Sequence, residues 1–191
     1  MESTEQNIQK HSNFWLELGK LIILSIVIVI PFRLYIAQPF IVDGASMDPT
    51  FKNGQYLIVD ELSYHFNDPD RGSVLIFRYP RDPSKYFIKR VIGLPGETVG
   101  IRDGVVTIVN PEYPNGFTFD EPYVQFSKQD NLDFTLKEDE YFVMGDNRLG
   151  SADSRIWGPI TREDVIGRPI VRFFPFNFFP GQAVIKISQQ K

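Results

Sequence analysis

Phe40-Ile-Val-Asp-Gly-Ala-Ser-Met-Asp-Pro-Thr-Phe51 is an alternating extended run that opens into small residues around one serine and stops at a proline. Read as a strand from Phe40 to Ser46, its period of two puts Phe40, Val42, Gly44 and Ser46 on one face and Ile41, Asp43 and Ala45 on the other. That sets an apolar shelf beside a hydroxyl. Gly44 and Ala45 leave room for the backbone of an extended peptide to lie against the strand. Ser46 is therefore a candidate nucleophile, although a serine in a Gly-Ala-Ser loop is far more often only a turn residue.

The chain beyond Pro39 continues in the same manner. Gln55 to Asp60, Val74 to Arg78, Tyr86 to Ile92, Thr98 to Ile101, Val105 to Val109, Glu140 to Met144 and Ile170 to Phe174 are short, rich in β-branched and aromatic residues, and bounded by Gly, Pro or Asp. Asp103-Gly104 supplies the positive φ angles of a hairpin turn. Thr161 to Val165 is the one helical turn expected after residue 40, with Thr161 as its cap, and residues 110–137 read as loop-rich. The predicted fold is mainly β, with twisted antiparallel sheets.

Ahead of this lies an apolar run, Leu21-Ile-Ile-Leu-Ser-Ile-Val-Ile-Val-Ile-Pro-Phe32. Extended from Trp15 to Tyr35 it reads as one N-terminal transmembrane helix about 30 Å long, with an aromatic residue at each end. A cleavable leader fits less well, because Tyr35-Ile-Ala37 is a poor cleavage site, and a buried core helix fits less well because the run has no polar face. The expected division is a polar cytoplasmic tail over 1–13, a transmembrane helix over 14–36, and an extracytoplasmic catalytic β domain over 37–191 with a smaller accessory β region at about 100–140. Lys10 and Lys20 on the amino side favour a cytoplasmic N-terminus.

Composition narrows the chemistry. The 191 residues carry a formal charge of -4 with no basic stripe, which points away from nucleic acid. There is no cysteine and there are only two histidines, His11 and His65, so neither a disulfide framework nor a zinc site is expected, nor any other cofactor. A serine nucleophile needs a base, and neither histidine is well placed. Lysine can serve if burial lowers its pKa. Lys89, in Tyr86-Phe-Ile-Lys-Arg-Val-Ile-Gly-Leu-Pro-Gly96, has Phe87 and Val91 on its own strand face and Arg90 on the other; the bland alternative is a lysine snorkelling from a strand edge.

Gly44-Ala-Ser-Met-Asp-Pro-Thr50, Lys89-Arg-Val-Ile-Gly-Leu-Pro-Gly-Glu97 and Gly145-Asp-Asn-Arg-Leu-Gly-Ser-Ala-Asp-Ser-Arg-Ile-Trp-Gly158, with the looser Arg71-Gly-Ser-Val-Leu-Ile-Phe-Arg-Tyr-Pro80, resemble in order the conserved boxes of bacterial type I signal peptidases, the leader peptidases. The resemblance runs from about Pro39 to Phe174. It implies a membrane serine protease with a Ser/Lys dyad, Ser46 as nucleophile and Lys89 as general base. It gives Ser151 the task of orienting the lysine amine, and Asp153 and Arg155 that of holding the loop; Asp146 could pair with Arg90. At Gly44 some relatives carry a serine that stabilises the oxyanion, leaving here the Ser46 N–H. The implied partners are membrane lipid and secreted preproteins with small residues at the first and third positions before the cut. Phe40, Val42, Met47, Ile76, Phe87 and Ile88 are the candidate substrate-binding residues. The implied location is the bacterial cytoplasmic membrane or a thylakoid. The alternatives are a self-cleaving repressor-type Ser/Lys peptidase and a catalytically silent β binding module. The tail Arg172-Phe-Phe-Pro-Phe-Asn-Phe-Phe-Pro180 cannot be one regular strand, and Phe176, Phe178 and Phe179 are candidates for lipid contact.

Overall fold

A computed structural model describes residues 14–29, 37–173, 176–178 and 187–188. Residues 14–29 form helix α1, on which the eight apolar residues Leu21 to Leu24 and Ile26 to Val29 are all about half exposed or more. Among the described residues no helix is long and apolar enough to cross a membrane. The span expected over 14–36 is thus not supported: α1 rises about 24 Å where a bilayer core needs about 30 Å. The rest of that span, from residue 30, lies outside the described residues, as does the polar tail 1–13.

The remainder is antiparallel β structure, as its β-branched runs dictate. The strands are β1 (Ala37–Ile41), β2 (Tyr56–Asp60), β3 (Val74–Tyr79), β4 (Asp82–Gly93), β5 (Thr98–Arg102), β6 (Val105–Val109), β7 (Thr118–Phe119), β8 (Leu132–Thr135), β9 (Glu140–Met144), β10 (Ile160–Thr161), β11 (Val165–Phe173), β12 (Phe176–Phe178) and β13 (Ile187–Ser188). The main sheet has the order β1-β2-β11-β3-β4-β9-β10, with β12 also on β11. A second sheet runs β6-β5-β8, and β7 pairs with β13. Arg102 pairs with Val105 across the two-residue turn, where Asp103 and Gly104 have φ of 49° and 82°.

Strands in the middle of the main sheet bury both faces. All five residues of β9 are buried, and along β3 Leu75 and Phe77 join one core while Ile76 joins another. This is why these stretches read as continuous apolar runs rather than alternating ones. β11 begins at Val165, earlier than expected, because Gly167 lets it press against β2: a Cβ there would meet Asp60 O at 2.5 Å. Two single-turn helices escaped the sequence reading, α2 (Ser63–Phe66) and α3 (Ser154–Trp157), the latter capped by Asp153. The 3-10 turn Arg162–Asp164 is where expected, with Thr161 and Asp164 in a capping box.

After Phe173 the chain doubles back, and Phe173 pairs with Phe176. Both rings are mostly exposed. The Phe178 side chain, Phe174 and Phe179 lie outside what is described.

Candidate active site

The stretch that opened the sequence reading is only partly strand. β1 stops at Ile41, and Gly44, at φ 96°, turns the chain away with its N–H donated to Asn53 Oδ1 at 2.9 Å. Alternation therefore holds through Val42, which is buried while Ile41 is exposed, and is lost before Ser46. The turn aims Ser46 at β4. There Lys89 is paired with Leu75 of β3, and it shares its face with Phe87 and Val91.

Lys89 Nζ and Ser46 Oγ are 2.7 Å apart in a hydrogen bond, and Nζ also donates to Ile88 O at 3.0 Å. Lys89 is only 4% exposed. Burial brings its pKa down from 10.5 to about 8, against the opposing pull of the Asp153 and Asp146 carboxylates. The Phe87 ring lies 5.4 Å from Nζ and contributes to the apolar cover. Among the described residues no acceptor takes the Ser46 N–H. His65, on α2, is bound to Glu61 O and is not part of this site.

The loop after β9 closes the site from behind. Asn147 N donates to Ser46 O at 3.1 Å and Asn147 Nδ2 to Ala45 O at 3.0 Å. Arg90, next to the lysine, forks onto Asp146 through Nε at 2.8 Å and a terminal nitrogen at 2.6 Å, and Thr50 Oγ1 donates to the same carboxylate. Arg155 forks onto Asp153 with two bonds of 2.8 Å. Burial pushes the Asp153 carboxyl up, but Arg155 and the Gly145 N–H outweigh it and hold the group below the usual carboxylate range. Ser151 is buried here but makes no hydrogen bond to Lys89, so the orienting contact expected of it is replaced by Ile88 O.

Removing one half of the Arg90–Asp146 pair leaves a buried charge without a partner. Asp146→Ala is expected to cost about 3–5 kcal/mol in chemical denaturation; a loss under about 1 kcal/mol would show that water reaches Arg90. Gly145 is equally constrained, since a Cβ there would meet Ser151 Oγ at 2.3 Å and Ser46 O at 2.4 Å. Gly145→Ala should therefore displace the serine backbone and lower kcat by at least about tenfold, and unchanged turnover would mean that the loop can shift freely. Nothing in the local sequence pattern around Gly145 shows the contact with Ser46 O, because that partner is nearly a hundred residues away.

A groove of about 520 Å³ leads away from Ser46 and Lys89 between β1 and β4. Phe40, Val42, Ile76, Phe87 and Ile88 line it, together with Tyr86, whose ring meets that of Phe40 edge-on at 5.5 Å. Met47 does not line it. The turn at Gly44 rotates Met47 beneath the surface, where it is buried with Phe51 and Leu57.

The sequence profile of the family described as signal peptidase, peptidase S26, matches residues 15–174. The chain belongs to the signal peptidase family. It is 36% identical over 181 residues to a probable signal peptidase I-2 of Synechocystis, covering 91% of this chain and 80% of that protein. A signal peptidase I of Leptolyngbya laminosa is 40% identical over 166 residues, 83% and 79% of the two chains. Signal peptidase I T of Bacillus subtilis is 35% identical over 188 residues, 92% and 93% of the two chains. A crystal structure of a signal peptidase I from Enterococcus faecalis is 36% identical, covers 53% of this chain and 97% of that one, and superposes with a TM-score of 0.44. As a signal peptidase family member the chain is a serine endopeptidase of signal-peptide processing.

Proposed function

We propose that the chain cuts signal peptides from secreted preproteins with Ser46 as nucleophile and neutral Lys89 as general base. The observation that carries this reading is the 2.7 Å contact between Nζ and Oγ in a setting that disfavours the ammonium form. As Oγ attacks the scissile carbonyl carbon, its proton passes to Nζ, and the oxyanion of the tetrahedral intermediate is met by the Ser46 N–H. The protonated amine then gives its proton to the leaving amine. Water, deprotonated by Lys89 in turn, hydrolyses the acyl-enzyme ester and frees Ser46. Gly44 offers no side-chain donor to the oxyanion.

The substrate lies extended in the groove between β1 and β4. Its shallow apolar walls, with Phe40, Val42, Ile76 and Ile88, favour small residues at the first and third positions before the cut. Asp146, Asp153, Arg155 and Ser151 support the pair from behind. Residues 37–191 form the catalytic region, with about 100–140 as its accessory part. The experiment is incubation of the purified chain with a preprotein, beside Ser46→Ala. Processing by the chain and none by the variant is expected, and equal processing by both overturns the reading.

Residues 14–36 anchor this region to the bacterial cytoplasmic membrane or a thylakoid, with the N-terminus cytoplasmic. The exposed apolar side chains of α1 have no cover among the described residues, and such surface has favourable burial in lipid or against a partner. Phe176, Phe178 and Phe179 rest the catalytic region on the same bilayer. A fragment beginning at Ala37 is expected to float with lipid vesicles, and one carrying Phe176→Ser, Phe178→Ser and Phe179→Ser to float less at an unchanged Tm. Equal flotation, or unfolding of the variant, would remove the lipid role.

A further inference from the structure

The loop between β7 and β8, residues 120–131, reaches over to the catalytic residues although none of its side chains lines the groove. The Tyr123 ring lies flat against Arg90, 3.9 Å from its guanidinium carbon, while Arg90 grips Asp146. Tyr123 Oη donates to Glu121 Oε1 at 3.0 Å. Glu121 in turn accepts from both terminal nitrogens of Arg148, one of them at 2.9 Å. Further along, Asp130 Oδ2 accepts from Arg155 at 2.7 Å, using the nitrogen that Asp153 leaves free.

Each of the three guanidinium groups behind Ser46 and Lys89 thus takes a partner from one loop. Their side chains are 8%, 2% and 5% exposed for Arg90, Arg148 and Arg155, so water cannot balance their charge. Asp146 and Asp153 alone would face three cations; Glu121 and Asp130 supply the further carboxylates, with Asp130 shared between Arg155 and Lys128, whose Nζ lies 3.3 Å from Oδ1.

The arginines also hold backbone. Arg148 Nε donates to Gly145 O at 3.2 Å and Arg155 to Arg148 O at 2.9 Å, which fixes the turn whose Asn147 N–H binds Ser46 O. A path of direct contacts therefore runs from the loop through Arg148 and Arg155 to the backbone of the serine, and from Tyr123 through Arg90 to the neighbour of the lysine.

We infer that Glu121, Tyr123 and Asp130 are positioning residues for the cleavage reaction, holding Ser46 and Lys89 in register through Arg90, Arg148 and Arg155. The inference rests on the Ser46–Lys89 reading above. Because the loop stays clear of the groove, its effect falls on turnover and not on substrate binding.

The test uses the full chain in detergent, with an internally quenched peptide that carries small residues at the first and third positions before the cut. Tyr123→Leu and Asp130→Asn are each expected to lower kcat about tenfold while KM stays within about twofold. Tyr123→Phe keeps the ring over Arg90, and Asp130→Glu keeps the carboxylate; both should retain most of the turnover. Unchanged kcat in Tyr123→Leu and Asp130→Asn overturns the inference. So does a rise in KM at constant kcat, which would mean that the loop touches substrate. If both variants fail to fold, as judged by thermal melting, the loop is a structural element and the inference also fails. A wild-type chain that does not cut the peptide overturns the parent reading instead, and the inference with it.

Discussion

Ser46→Ala and Lys89→Met should each lower kcat/KM for a preprotein by about three orders of magnitude or more, since one removes the nucleophile and the other the base that takes its proton. Lys89→Arg should fail equally, because a guanidinium stays protonated and cannot accept. Contact alone is not what matters at this position. Full activity in any of the three, with contaminating peptidase excluded, would end the assignment of the pair.

Lys89→Met carries a second, opposite expectation. The folded chain holds the amine at about 8 against 10.5 when exposed, so below about pH 8 folding must bury a charge that the unfolded chain keeps in water. That penalty is about 3 kcal/mol, fully present below about pH 8, and it fades as pH rises to about 10.5, where both states are neutral. Methionine has similar length and no charge. It forfeits the bonds to Ser46 Oγ and Ile88 O, each worth about 1 kcal/mol, and should still leave the chain about 1 kcal/mol more stable at pH 7. Denaturant titrations at pH 7 and pH 10.5 would read this, with the gain shrinking at the higher pH. A variant less stable than the parent at pH 7 would mean that the amine is not desolvated. Inactivation coupled to stabilisation is hard to explain for a lysine whose role is structural.

How far the sequence leads differs from element to element. β6 and β9 are readable to the residue because each is a short apolar run between clear punctuation, Asp-Gly before one and Glu-Asp before the other. β11 was read too short, since Gly167 and Pro169 look like breakers; the glycine instead admits a neighbouring backbone, and the pairing shifts register past the proline. β4 was also read too short, since Pro83 and Ser84 resemble a turn yet sit in the hairpin that extends it to Asp82. α2 and α3 are single turns, too brief for any apolar period to develop. Within the site, Lys89 could be found because Phe87 and Val91 flank it at strand spacing. Met47 is named for the groove by adjacency to Ser46, and local backbone geometry buries it instead. Glu121, Tyr123 and Asp130 carry no local signal at all: they sit in a loop-rich stretch, and their meaning comes from arginines 25 or more positions away.

The central claim is that Lys89 works as a neutral base because the fold keeps water from it, and the pH dependence of kcat/KM tests this most directly. With a lowered pKa in the free enzyme, kcat/KM for a signal-peptide substrate should rise as pH increases through about 8 and level off above it, since only the deprotonated amine can accept the Ser46 proton. Below that limb it should fall about tenfold per pH unit. A midpoint near 8 that persists in His65→Gln is the predicted result. A midpoint near the exposed lysine value of about 10.4, or one near 6.5 that His65→Gln abolishes, would contradict the account.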